Sequence, residues 1–471
     1  MSFLSQLRRR DASPTAVLLI VCSGVVLASL DLFIVNVALP DVARDLHGDI
    51  ASLSWVLNAY AIVYAALLVL FGRLAERRAR EAGFLVGVAV FTLASAACGL
   101  ASTVTELVAF RVVQAAGAAL LTPTSLSLVL ASTPEERRHG AVRAWTAVGG
   151  LAAALGPVVG GLLVAASWRW VFLVNVPIGL AALAYGWRRL PHVPGHPVPR
   201  PDTLGAGLLT AGVGGLVLAL VEGHGWGWGS AATLGTLAAS ASLLGAFALH
   251  CARARNPMIE PALLKVRGFA GASIAMTLFS TAFGAMLLSI VLWEQDVWGW
   301  SALQSGLAIA PGPAMVPVFS FLVAGRLIAR FGPAAVVGAG ATIYGAGIAS
   351  WAFTAQLAPD YVHGALPGML VTGIGVGLTL PTLMSTAAGS LPPSAFATGS
   401  AVVNMLRQVG LAVGVALLIA VLGTPRSPLD ALHAFRTGWL ALAAVAWAAA
   451  LCGAVLLRER TAVRAAATAP A

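Results

Sequence analysis

The sequence predicts an all-α polytopic membrane protein, and three of its features say so. Hydrophobic residues make up 59% of the 471, only 10% are charged, and mean hydropathy is +0.89, a combination outside the range of ordinary soluble domains. The apolar residues gather into runs close to the roughly 20 residues that a helix needs to cross a bilayer. The arginines fall between those runs on alternate sides.

Fourteen spans can be marked, at about 15–39, 53–71, 82–101, 104–130, 140–165, 170–189, 203–221, 230–250, 268–293, 302–325, 333–353, 365–388, 396–423 and 437–457. The first follows a basic start, MSFLSQLRRRDASP, but is too long for a signal-peptide core and lacks a small-residue cleavage site, so it is expected to stay as a helix. With the N-terminus in the cytoplasm, the inner segments hold 22 of the 28 Lys and Arg, among them Arg8, Arg9, Arg10, Arg73, Arg77, Arg78, Arg80, Arg137, Arg138, Arg143, Arg188 and Arg189. The outer segments hold only Arg44, Arg169, Arg426 and Arg436. That bias predicts a multi-pass plasma-membrane protein with both termini cytoplasmic. Trp55, Trp168, Trp170, Trp226, Trp228, Trp293, Trp298, Trp300, Trp351 and Trp439 all fall at outer ends, where an interfacial belt is expected.

The chain also repeats itself. GRLAERRAR (72–80) after span 2 matches GRLIARFGP (325–333) after span 10, pairing Gly72, Arg73, Leu74 and Arg77 with Gly325, Arg326, Leu327 and Arg330. A second pairing aligns Pro134 with Pro393 and Gly140 with Gly399. Repeated halves in a polytopic protein point to a transporter whose bundles rock around a midplane site. The expected division is a six-helix bundle over 15–189, a connector and two-helix insert over 190–267, a second six-helix bundle over 268–457, and a cytoplasmic tail over 458–471.

Within the spans, charge marks the candidate site. Asp31 lies in span 1, where a carboxylate costs roughly 2.5–3.5 kcal/mol on insertion scales and so must face protein or water. Arg111 enters span 4 to a similar depth, about seven residues from the outer end, so the two are placed to pair. Such a pair serves either as a proton switch or as a static registry contact. Gln114, one turn beyond Arg111, and Asn36 in span 1 either bind substrate or join helices by hydrogen bonds. Span 5 carries Gly156, Pro157, Gly160 and Gly161, a GxxxG pair beside a proline, which predicts a close and bent helix contact.

Further acids, Glu106, Glu222, Glu294 and Asp296, lie near outer ends and are expected to be mostly solvated, with Glu222 and Glu294 kept as cavity candidates. Asn404, Arg407 and Gln408 in NMLRQVG of span 13 are candidates at mid-depth; no acid is visible at that depth in spans 9–14 to pair with Arg407.

Several function classes drop out. There is no GxxxxGK[ST] nucleotide loop, which argues against an ATP-driven pump and leaves ion-gradient coupling. The formal charge of +10 is spread between spans rather than gathered into a nucleic-acid-binding patch. Four scattered cysteines suggest neither a metal site nor a disulfide framework. No catalytic residue and no cofactor is expected, so the chain does not read as an enzyme.

These residues carry a resemblance. Over nearly its whole length the chain resembles the major facilitator superfamily and, within it, the fourteen-helix drug:proton antiporters. LDLFIVNVALP (30–40) is similar to that branch's span-1 motif, with Asp31 as its acid. GRLAERRAR resembles the loop motif between spans 2 and 3, with Glu76 for the usual aspartate, Ala79 for the usual glycine and Glu81 for a usual base. RVVQAAGAA (111–119) is similar to the proton-related motif of span 4, GPVVGG (156–161) to the antiporter motif of span 5, and WRWVFLVNVPIG (168–179) to a stretch of the fourteen-helix branch. The resemblance implies the major facilitator fold and proton-coupled efflux of amphipathic drugs or biocides, cationic ones among them. The partners it implies are a small-molecule substrate, protons and the bilayer, acting on a monomer. An uncoupled or importing metabolite transporter and a membrane scaffold that no longer transports are the other readings.

Overall fold

The computed structural model describes residues 13–77, 79–195, 200–392 and 395–458, with the side chains of His139, Arg143, Phe396 and Ala397 not described. Arg8, Arg9, Arg10, Arg78, Pro393 and the tail beyond Arg458 lie outside the described residues. Every regular element among the described residues is helical.

Among the described residues thirteen helices are long and apolar enough to cross a membrane: α1 (Pro14–Leu46), α2 (Ile50–Arg77), α3 (Arg80–Gly99), α4 (Val104–Ser132), α5 (Glu135–Val164), α6 (Trp170–Arg189), α7 (Thr203–Trp226), α8 (Ala231–Arg253), α9 (Arg267–Val297), α10 (Ala302–Thr354), α11 (Tyr361–Gly389), α12 (Thr398–Leu422) and α13 (Pro428–Leu456). Spans 1–9 thus correspond to α1–α9, and spans 12, 13 and 14 to α11, α12 and α13. Spans 10 and 11 are continuous in α10, whose 53 residues would reach about 80 Å as one rod against a hydrocarbon core of about 30 Å. Gly332 breaks the rod. Its φ of 78° and ψ of 164° are not helical, and only a residue without Cβ adopts them freely. Pro333 follows and starts the second limb.

The sequence boundary at Pro40 does not hold. α1 runs on to Leu46 through Pro40, where Arg44 Nε donates to the Pro40 carbonyl at 3.3 Å. The tryptophan expectation is also corrected. Trp293, Trp351 and Trp439 are among the most deeply buried side chains, at 1% exposure each, and they meet one another, Trp298 and Phe435 edge-on or tilted inside the protein. Their indole N–H groups explain how this is tolerated: Trp351 donates to the Ala365 carbonyl at 2.9 Å and Trp439 to Ser289 Oγ at 3.1 Å.

Packing follows the repeat. In the first part α1 lies on α5, and α4 on both α2 and α3; in the last part α9 lies on α12 and α13, and the second limb of α10 on α11 and α13. The parts meet where α2 packs on α12 and where α5 packs on the start of α10, while α7 and α8 form a hairpin leaning on α2 and α12 through α7. The span-5 glycines make two of these contacts. Gly156 faces Phe33 of α1, where an added Cβ would stand 2.7 Å from the Phe33 Cβ, and Gly161 faces the Ala302 carbonyl of α10 at 2.6 Å. Neither contact admits a side chain. At the same tryptophan-rich end, Gln295 Nε2 donates to the Val37 carbonyl at 3.0 Å across the two parts.

The insert is tied down by Asp202, the N-cap of α7. Its carboxylate accepts from Gly205 N at 2.8 Å, His250 Nε2 at 2.9 Å and Met258 N at 2.9 Å, joining α7, α8 and the linker that follows. Burial pushes this carboxyl up, but the hydrogen bonds from Gly205, His250 and Met258 outweigh it and hold it below the usual aspartate range. A depressed folded-state pKa gives stability that is present above the unfolded value near about 3.9 and is lost as pH falls through the folded one, so the clasp holds at neutral pH and opens only in strong acid. Asp202→Ala is expected to weaken this anchor by about 1–2 kcal/mol and to speed tryptic cleavage at Arg253 and Arg255. A cleavage rate equal to that of the wild type would show that the linker is held elsewhere.

Candidate functional site

Five helices converge on Asp31. It is fully buried on α1, and Arg111 of α4, equally buried, is ion-paired to it through Nη1 and Oδ2. Arg111 Nη1 also donates to Gln114 Oε1 at 2.6 Å, and Gln114 Nε2 donates to Asp31 Oδ1 at 2.8 Å, closing a ring of three side chains. From α3, Ser95 Oγ accepts from Gln114 Nε2 at 2.9 Å and donates to the Phe172 carbonyl at 3.1 Å. From α6, Asn175 Nδ2 reaches Ser95 Oγ at 2.9 Å and Asp31 Oδ1 at 3.3 Å. From α2, the Val56 carbonyl accepts from Arg111 Nε at 3.1 Å, and the Tyr60 ring lies 4.1 Å under the guanidinium.

The arrangement answers both charges. Both Asp31 oxygens are engaged by donors, and the guanidinium has an anion, two neutral acceptors and an aromatic face. One donor remains: Arg111 Nη2 has no partner among the described residues. Arg111 also lines a narrow cleft between the two parts of the molecule, with a cavity volume of about 40 Å³, room for little more than a water molecule. α1 and α2 form one wall with Asn36 and Asn58; α9 and α12 form the other with Phe283 and Leu411.

Asp31, Arg111 and Gln114, which the sequence placed at similar depth, are therefore in direct contact, and Gln114 belongs to their cluster rather than to the open cleft. Asn36 lines the cleft and donates to its own helix at the Leu32 carbonyl, 3.2 Å away. Asn404 does the same on α12, donating to Ser400 O at 3.0 Å. Gln408 is buried with Oε1 unpartnered, and Arg407 is half-buried with Nε unpartnered. Glu222 is half-buried on α7, outside the cluster. The expectation that the outer acids are solvated holds for Glu106 and Asp296 but fails for Glu294, which is 0% exposed with neither oxygen hydrogen-bonded. It sits in a π-helical turn, Trp293–Val297, which rotates the carboxyl inward among the tryptophans.

The two copies of the loop motif differ. Arg73 pairs with Glu260 of the linker at 3.2 Å, whereas Arg326 and Arg330 are exposed and bond only locally, to the Leu322 carbonyl and over Phe331. Gly72 comes near Pro123 of α4, and Gly325 has open space around it. Glu76 is half-buried and Arg77 exposed. Glu81 is buried at 3% exposure, accepting from His192 Nδ1 at 2.6 Å and Val193 N at 3.1 Å, so it anchors the connector after α6. Ser95, Asn175, Asn58 and Tyr60 were missed by sequence reasoning. Asn58 and Asn175 carried a usable signal, an amide inside an apolar span.

Comparison with known proteins agrees with this architecture. The sequence profile of the Major Facilitator Superfamily matches residues 21–415. The chain is 34% identical over 415 residues to the tetracenomycin C resistance and export protein of Streptomyces glaucescens, covering 87% of this chain and 75% of that one. It is 36% identical to the cephamycin export protein CmcT of Amycolatopsis lactamdurans, covering 89% and 87%, and 33% identical to the methylenomycin A resistance protein of Streptomyces coelicolor, covering 88% and 87%. Among solved structures, the POT family transporter PepTSo superposes with a TM-score of 0.69 at 17% identity, over 93% of this chain and 97% of that one. The chain belongs to the major facilitator superfamily of membrane transporters.

If the cluster is a mutually satisfied unit, removing one charge should cost more than removing both. Arg111→Met is expected to destabilise the protein by about 3–5 kcal/mol, and Asp31→Leu combined with Arg111→Met by less. Thermal unfolding in detergent would check this; a double variant as unstable as the sum of the singles would refute the coupling.

Proposed function

We propose that the chain is a secondary active exporter that carries lipophilic small molecules out across the cytoplasmic membrane in exchange for protons. The observation that carries this reading is the buried Asp31–Arg111–Gln114 ring with its spare Arg111 Nη2 at the wall of a cleft between the two parts. Protonating Asp31 removes the charge that holds Arg111 in place. The guanidinium is then free to turn its donors toward the cleft, and deprotonation draws it back. A substrate seated while the guanidinium is held on Asp31 biases the same arginine in the direction opposite to the proton. That is the requirement for exchange rather than co-transport.

The rest of the reading follows the repeat. The two six-helix bundles are 15–189 and 268–457, the insert is 190–267, and Gly332 divides α10 into two spans to give fourteen. Both termini lie in the cytoplasm, on the arginine-rich side. The Arg73–Glu260 clasp belongs to that side and serves as a gating contact, while the Gly156, Pro157, Gly160 and Gly161 seam belongs to the outer side. Relatives named for resistance and export support an outward direction and small-molecule cargo.

In energised everted vesicles, Asp31→Asn is expected to abolish substrate-dependent proton movement in the protein that folds, because an amide keeps the size of the carboxylate but cannot exchange its proton. Proton movement at the wild-type rate would remove Asp31 from the mechanism.

A further inference from the structure

The acids and bases of the membrane interior do not balance around the cleft. Among the described residues no acidic side chain lines it. Asp31 lies behind Arg111 with both oxygens engaged, and Glu294 is enclosed in the π-helical turn at the tryptophan-rich end. The bases are placed differently. Arg111 lines the cleft with Nη2 unpartnered. Arg407 stands on α12 one turn from Leu411 of the cleft wall, half-buried, with Nε unpartnered, and the titratable group facing it is Tyr64. Tyr64 stacks on Tyr60 with centroids 5.9 Å apart and planes 8° from parallel, and Tyr60 carries the Arg111 guanidinium on its face. Two arginines therefore flank one aromatic ladder along α2.

A third group is unmatched. Asn58 lines the same cleft, is 0% exposed, and has neither Oδ1 nor Nδ2 hydrogen-bonded. A buried amide left wholly unpaired is costly, so a ligand that brings an acceptor for its N–H recovers what folding left unsatisfied. Arginine stays charged in proteins, so neither guanidinium can relieve the imbalance by losing a proton.

We propose that the preferred cargo is an amphipathic organic anion, a flat apolar body carrying a carboxylate or comparable oxyanion, which on separation of the two parts lies against Phe33 and Phe283 with its charge toward Arg111 Nη2, Asn58 and, one turn beyond the wall, Arg407. A lipophilic cation entering the same cleft meets the Arg111 guanidinium, with Arg407 one turn beyond the wall, and no free acid. This rests on the reading of the cleft as the substrate path and reverses the charge that the family resemblance implies for many substrates.

The test uses a matched pair of fluorescent probes, an anthracene carboxylate and the corresponding anthracenylmethylammonium, with the full chain purified into lipid nanodiscs and binding read by energy transfer from tryptophan. The wild type is expected to bind the carboxylate at least about tenfold more tightly than the ammonium. Arg407→Gln should remove about tenfold or more of carboxylate affinity and leave the ammonium unchanged or improved, and Arg407→Lys should recover part of the loss. Tighter binding of the ammonium by the wild type would overturn the proposal, as would an equal loss of both probes in Arg407→Gln alongside an unchanged thermal midpoint. Should Arg407→Gln fail to fold, the wild-type ranking of the two probes still decides. Binding needs no gradient: a protein that prefers the carboxylate but never moves it in energised vesicles upholds this inference and sinks the export reading.

Discussion

The buried pair of Asp31 and Arg111 is the constraint on which the first part of the molecule is built. Each charge alone would cost several kcal/mol in a medium without water, and the pair is tolerable because α2, α3, α4 and α6 each contribute a donor, an acceptor or a ring. α1 supplies the acid, α4 the base and Gln114, α3 Ser95, α6 Asn175, and α2 a carbonyl and Tyr60. Sliding any one of these helices by a residue would strand a charge or an amide. Apolar packing on its own specifies no such register, because leucine packs against leucine as well as against lipid.

How much of this could be read beforehand depended on how rare the signal was. An acid and an arginine inside apolar runs stand out against their surroundings, so Asp31 and Arg111 were legible, and simple depth counting brought them together. Ser95 and Tyr60 were not, since serine and tyrosine occur throughout membrane helices for many reasons. Asn58 and Asn175 fell between, visible as amides but without any indication of which neighbour they face. Helix ends were less legible. Pro40 looked like a stop and is not one: the helix runs through it to Leu46, as proline can within a membrane helix. Hydropathy marked a gap over 326–332 and the helix kinks within it, at Gly332, yet the cause of the kink lies in a backbone conformation rather than in a composition. The tryptophans misled for a related reason: position along a helix gives depth, while burial depends on which face the ring occupies.

The departures from the loop motif after span 2 have a local explanation. Glu81 replaces a base and binds His192 and the Val193 amide, so the acid holds the chain that leaves α6. Arg73 keeps its motif position but takes its partner, Glu260, from the linker of the insert. The second copy, around Gly325, Arg326 and Arg330, has no matching partner among the described residues and is solvent-facing. The two copies of the loop are thus alike in sequence and unequal in their contacts.

The glycine seam of α5 bears on how the molecule can move. Where Gly156 and Gly161 meet α1 and α10, main chain rests on its neighbour with no side chain of α5 in between. Gly161 is the one of the two that crosses to the other part, and among the described residues no hydrogen bond or ion pair ties α5 to α10 there that would have to be shed before the surfaces come apart. Surfaces of this kind act like two polished plates: each closure restores the same fit, and a cycle of opening leaves no disordered side chains to re-sort.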